Sequence, residues 1–162
     1  MMTTGRKYPI GIQTFSEIIR GGYVYVDKTE FVYSLARLSM PFFLSRPRRF
    51  GKSLLLSTFE AFFLGKKELF DGLYIAQKEK EWTEYPVLKI SFGLSSYENN
   101  ERLKERLNAI VTEYETLYKI EKKSSEPAER LSHIIHAVTE QTGKQVVILI
   151  DEYDKPILDA LY

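Results

Sequence analysis

The chain has 162 residues, 44% of them hydrophobic and 14% aromatic, with a net charge of +1 and no cysteine. One domain with a sizeable core is the expectation at this length, and near-neutrality demands neither a nucleic acid nor an acidic membrane as partner. The absence of cysteine excludes disulfides, thiol catalysis and cysteine metal sites and fits a reducing, cytoplasmic setting; no secretory signal is expected, and no apolar run approaches the roughly 20 residues that span a bilayer.

Residues 1–8 read as a loose start. Thr14-Phe15-Ser16-Glu17 has capping-box spacing before Ile18 and Ile19, which predicts a short helix stopped by Gly21-Gly22. Tyr23-Val24-Tyr25-Val26 is a strand candidate. Asp27-Lys28-Thr29-Glu30 then caps a helix carrying Phe31, Val32, Leu35 and Leu38.

Met40-Pro41-Phe42-Phe43-Leu44 is an apolar strand candidate that runs into Arg46-Pro47-Arg48-Arg49-Phe50-Gly51-Lys52-Ser53 and then into the helix-like Leu54 to Phe63. Strand, tight loop, Gly-Lys-Ser, helix is the layout of a phosphate-binding P-loop. Glycine lets the backbone curl close to phosphate oxygens, and the loop amides and helix N-terminus point at the anion. Amides around Phe50, Gly51, Lys52 and Ser53 would hold the phosphates. Lys52 would reach the β- and γ-phosphates, and the Ser53 hydroxyl would ligate Mg²⁺. Arg46 stands where the general pattern has glycine, and Pro47 has no N–H to donate. Gly-Lys-Ser/Thr alone arises by chance in roughly one chain of this length in ten. A basic surface turn before an amphipathic helix therefore competes as a reading of this stretch.

Residues 65–85 are mixed and charged, with a turn at Asp71-Gly72 and a packed Trp82. Val87 to Phe92 is a second strand candidate. After Ser96 a long helix follows, its buried stripe Leu103, Leu107, Ile110, Val111, Tyr114, Leu117 and Tyr118. Pro127 suits the first turn of the next helix, Leu131, Ile134, Ile135 and Val138 form its core stripe, and Gly143 ends it. Val146 to Ile150 is an unbroken apolar run that predicts a strand buried on both faces. It ends in Asp151-Glu152, and carboxylates at the C-terminal end of such a strand sit where open α/β sheets bind ligands. This is the Walker B layout: Asp151 would hold Mg²⁺, and Glu152 would orient and deprotonate the attacking water. A buried strand leaving into solvent on two acids is the plain alternative. The two motifs in this order, about a hundred residues apart, favour a nucleotide site.

Strands separated by helices predict an α/β fold, a P-loop NTPase with a parallel sheet flanked by helices. A strand between the two motif strands suggests the ATPase branch with an inserted strand. The chain stops at Tyr162, so residues 1–162 are expected to be an AAA-like ATPase domain with an incomplete sheet, the N-terminal fragment of a longer protein. Its exposed sheet edge would favour self-association.

Tyr8-Pro9-Ile10-Gly11, Tyr25-Val26-Asp27-Lys28-Thr29, Arg46 to Ser53 and Ile150-Asp151-Glu152-Tyr153-Asp154 together resemble the AAA-ATPase-like family of predicted bacterial ATPases, from about Tyr8 to the end of the chain. Arg-Pro-Arg-Arg-Phe-Gly-Lys-Ser is the form characteristic of that family. The resemblance implies binding of ATP with Mg²⁺ and its hydrolysis, with Lys52, Ser53, Asp151 and Glu152 on the motif positions. It also implies further ATPase strands and, in many members, a C-terminal nuclease-like domain. Tyr25 to Thr29 lies where related ATPases place an adenine-contacting segment, and a helix cap explains Asp27 and Thr29 equally well.

Arg48 and Arg49 could stabilise γ-phosphate charge, contact nucleic acid or pair with acids. Arg49 is carried as a candidate nucleotide contact because guanidinium binds phosphate bidentately. His133 and His136 lack the further ligands of a metal site. Glu121-Lys122-Lys123 reads as a solvated helix end. The alternatives to an ATPase are a nucleotide switch without significant hydrolysis that gates a nuclease-like effector, and a nucleic-acid-binding module using Arg46, Arg48 and Arg49.

Overall fold

A computed structural model describes residues 7–38, 40–45, 50–93, 96–97 and 99–159. They form two compact units that divide between Glu84 and Tyr85.

The first unit is helical. α1 (Phe15–Arg20) starts at Thr14 and ends on Gly21, as the sequence predicts, but the Thr14 side chain makes no capping bond. α2 (Thr29–Ala36) and α3 (Lys52–Phe63) follow, then a short 3₁₀ turn at Lys67–Phe70 and α4 (Tyr74–Lys78). Their shared core is Phe15, Val32, Ala61, Leu69, Phe70 and Ile75. Phe70 is central: its ring lies 4.8 Å from Phe15 and 5.1 Å from Trp82. Ser57 ties α3 to the start of α1, accepting from the Phe15 amide at 2.9 Å and donating to the Leu54 carbonyl at 2.8 Å.

Two expected strands are not formed. Residues 23–26 and 40–44 join no ladder among the described residues. Val24 donates its amide to Lys7 O at 2.9 Å, a single contact rather than a ladder. Phe43 is 70% exposed, and Met40 and Phe42 are also exposed. β-propensity describes fit to a pleated, half-buried surface, and a strand exists only where a neighbouring backbone supplies the other half of the ladder.

In the second unit β1 (Val87–Ser91) and β2 (Val147–Asp151) pair in parallel, with Leu88 opposite Ile148 and Ser91 opposite Asp151. The crossover runs through α5 (Asn100–Tyr118) and α6 (Pro127–Thr142). The end signals of α6 hold: Pro127 opens it, and Gly143 closes it at φ 66°; Asn99, which the sequence reading did not single out, caps α5 through the Arg102 amide. Leu88 and Ile90 pack on Ile110, Val111, Tyr114, Ile134 and Val138. The described residues are thus α/β with a small two-stranded parallel sheet and helices, in place of the larger sheet expected. Two details also correct the sequence reading. Leu117 is 64% exposed and lies off the buried stripe of α5. β2 is not buried on both faces, since Ile148 and Ile150 are 40% and 47% exposed.

The ladder decides which edge of the sheet is open. Val147 donates to Pro86 O and Phe92 to Asp151 O, so even-numbered residues of β1 turn their backbone groups toward β2. Lys89 and Ser91 turn theirs outward, and side chains of α5 meet them there. The Tyr114 hydroxyl accepts from Lys89 N at 2.6 Å and donates to Lys89 O at 2.8 Å, while Arg106 donates to Ser91 O at 3.1 and 3.3 Å. The outer edge of β1 is closed by its own crossover helix. The edge of β2 carries the outward backbone groups of Ile148 and Ile150.

A buried ion pair joins α5 to α6. Arg130 donates to both Glu115 carboxylate oxygens at 2.9 and 2.6 Å, to Asn108 Oδ1 at 2.7 Å and to Thr112 Oγ1 at 2.7 Å. After β2, the short α7 (Lys155–Asp159), which the sequence reading omitted, is fastened by Asp159 accepting from the Tyr97 amide at 3.0 Å.

Candidate functional site

The candidate residues lie in both units, Phe50 to Ser53 in the first and Asp151 and Glu152 in the second. Arg49, with Arg46, Pro47 and Arg48, lies outside the described residues.

Gly51 adopts the left-handed conformation at φ 73°, ψ 23°, and turns the chain directly into α3. A Cβ added there would meet nothing within 4 Å among the described residues, and the left-handed backbone is the conformation glycine adopts without strain. Lys52 and Ser53 are the first two helical residues, and the N-cap residue Gly51 has no side chain with which to cap the helix. The first intrahelical bond at this end runs from Leu55 N to Gly51 O at 2.9 Å. The amides of the first turn therefore have no carbonyl of the same helix to bond, which is the condition under which a helix N-terminus receives an anion. Phe50 is exposed in the bend before the glycine.

Asp151 is the last residue of β2, and Glu152 the first beyond it. The carbonyl of Asp151 accepts from Phe92 N at 3.2 Å, and its Oδ1 accepts from the Glu152 amide at 3.0 Å. Glu152 stands at φ 54°, a conformation uncommon for a residue with a Cβ. Lys155 N donates to the Glu152 carbonyl at 3.0 Å, so the turn is tied on both sides. The Ser53 hydroxyl in the first unit and the Asp151 carboxylate in the second are each a hard oxygen donor of the kind Mg²⁺ takes.

The segment 25–29 takes the capping role. Asp27 Oδ1 accepts from Thr29 N at 2.8 Å and from Thr29 Oγ1 at 2.7 Å, while Oδ2 accepts from Tyr74 N at 2.7 Å. Thr29 Oγ1 accepts in turn from Ile75 N at 3.1 Å. One carboxylate thus satisfies the starts of α2 and α4. Desolvation opposes its charge, but the bonds from Tyr74 and Thr29 outweigh it and hold the Asp27 carboxyl below its usual value.

His133 and His136 lie on α6, and no group of three or more metal-ligating side chains forms among the described residues. A depression of about 680 Å³ on α5, lined by Asn108, Ala109, Thr112, Glu113, Thr116 and Leu117, includes none of the candidate residues. No helix among the described residues is long and apolar enough to cross a membrane. The sequence reading missed Gly93, which lies against Glu152. Its only signal was a glycine at a strand end, which reads as an ordinary turn.

A family model described as "Predicted AAA-ATPase" matches residues 9–162. The chain is 42% identical over 157 residues to an "Uncharacterized protein in vnfD 5'region" of Azotobacter chroococcum mcd 1, an alignment covering 96% of this chain and 30% of that relative. The chain therefore spans about a third of the length of this curated relative. No solved structure matches.

Proposed function

The chain belongs to the predicted AAA-ATPase family, and on that premise we propose that it is a P-loop domain that binds Mg-ATP and hydrolyses it. The observation that carries the reading is the left-handed Gly51 leading directly into a helix whose first residues are Lys52 and Ser53. Amides at Phe50 to Ser53 hold the phosphates. Lys52 adds a positive charge, and Arg49 adds a guanidinium contact. Ser53 and Asp151 supply the oxygen ligands. Mg²⁺, when bound, neutralises phosphate charge. Glu152 accepts the proton of the attacking water, held by a turn that fixes its backbone.

Calorimetric titration with ATP and with GTP in the presence of Mg²⁺, paired with a phosphate-release assay, tests this. The expected result is saturable ATP binding that Lys52→Ala abolishes, and binding that persists in Glu152→Gln while release stops. Unchanged ATP affinity in the Lys52→Ala protein refutes the reading.

A further inference from the structure

We infer that Gly93 is a positioning residue for Glu152: the side chain it lacks leaves the space in which the Glu152 carboxylate lies. The inference deepens the hydrolytic reading and rests on it for the role of Glu152. An ideal Cβ built on Gly93 would stand 1.5 Å from Glu152 Oε2, 2.6 Å from Cδ and 3.3 Å from Oε1. The backbone of Gly93 does not itself require glycine, since its φ is outside the left-handed range occupied by Gly51 and Gly143. The carboxylate, and not the turn, excludes a side chain there.

The ladder explains the meeting. Ser91 pairs with Asp151, and the last rung runs from Phe92 N to Asp151 O, so the residues just past the two strand ends come together. Two further restraints act on the same group. The Asp151 carboxylate holds the Glu152 amide at 3.0 Å, and the positive φ of Glu152 sets the direction in which its side chain leaves. The carboxylate is thereby laid over bare backbone beside Asp151. A general base works only within hydrogen-bond reach of its proton, and misplacement by about 1 Å can cost on the order of a hundredfold in rate.

The test is Gly93→Ala, measured in the 162-residue chain. The atoms in conflict end a flexible side chain, so the methyl group should displace the carboxylate and leave the fold intact. Turnover should drop at least about tenfold while calorimetric affinity for Mg-ATP stays within about twofold. In a Glu152→Gln background, where release has already stopped, the same substitution should leave Mg-ATP affinity unchanged. A merely structural role would instead lower the melting temperature equally whether Glu152 is present or replaced by alanine, which overturns the inference. A second readout needs no activity. The ¹³C carboxyl resonance of Glu152 should move in Gly93→Ala, and an unmoved resonance in the folded variant overturns the inference. Were the wild-type chain to bind nucleotide without turnover, the hydrolytic reading would fail and this resonance would still decide the placement. If Gly93→Ala loses stability, adding Glu152→Ala should restore the melting temperature; failure to restore it locates the clash elsewhere and refutes the assignment.

Discussion

Replacing Arg130 by methionine should cost the α5–α6 unit about 3–5 kcal/mol, because it strands a buried carboxylate. The side chains of Arg130 and Glu115 are 2% and 8% exposed, and the guanidinium meets both carboxylate oxygens, Asn108 and Thr112. Hydrogen bonds to charged groups contribute roughly 1.5–3 kcal/mol each, but bonds that share one guanidinium are not additive, so the range for breaking a buried pair is the better guide. A domain stability of about 5–15 kcal/mol makes such a loss decisive. The Arg130 hydrogen bonds are the main reason that the Glu115 carboxyl sits below its ordinary value of 4.5; desolvation opposes them, and the charges of Arg130, Lys122 and His133 assist. Because the folded pKa is lowered, this stabilisation is complete above about pH 4.5 and fades as pH falls through the lower folded value. Urea unfolding followed by far-UV circular dichroism at pH 7 and at pH 3, with amide exchange in α5 and α6, measures the effect. The wild-type advantage over Arg130→Met should shrink at the lower pH. The double variant Glu115→Leu, Arg130→Met removes both charges and should recover most of the loss. A cost under about 1 kcal/mol at pH 7, or a double variant no better than the single, refutes the reasoning.

Gly51→Ala should cost about 1–2 kcal/mol in a thermal or urea melt through its left-handed backbone alone, since open space surrounds the position. Asp27→Asn should weaken the starts of α2 and α4 by about 1 kcal/mol at pH 7. Because the Asp27 carboxyl is held below its ordinary 3.8, its contribution is present above that pH and lost as pH falls through the folded value. The wild-type and Asp27→Asn melting curves should therefore converge in acid. Tyr114→Phe removes the hydroxyl that closes the outer edge of β1, at a cost of about 1–3 kcal/mol in urea unfolding. It should also introduce concentration-dependent association in sedimentation, because unprotected strand edges pair.

Where local chemistry decides the outcome, the amino-acid order was sufficient. Pro127 at the start and Gly143 at the end set α6, the apolar stripe set α5 apart from Leu117, and a glycine before Lys52 and Ser53 marked the start of α3. Helical bonds close within a few residues, so the information needed is nearby. The motifs also pointed to the family whose model matches residues 9–162. Strands depend on a partner from elsewhere in the chain. Residues 23–26 and 40–44 have the composition of strands and join no ladder among the described residues, whereas 87–91 and 147–151 find each other across two helices. Only tertiary pairing set the register that lays Glu152 against Gly93, placed Tyr114 on the outer edge of β1, and joined Arg130 to Glu115. Those contacts depend on a register and a crossover geometry that no short stretch of sequence specifies.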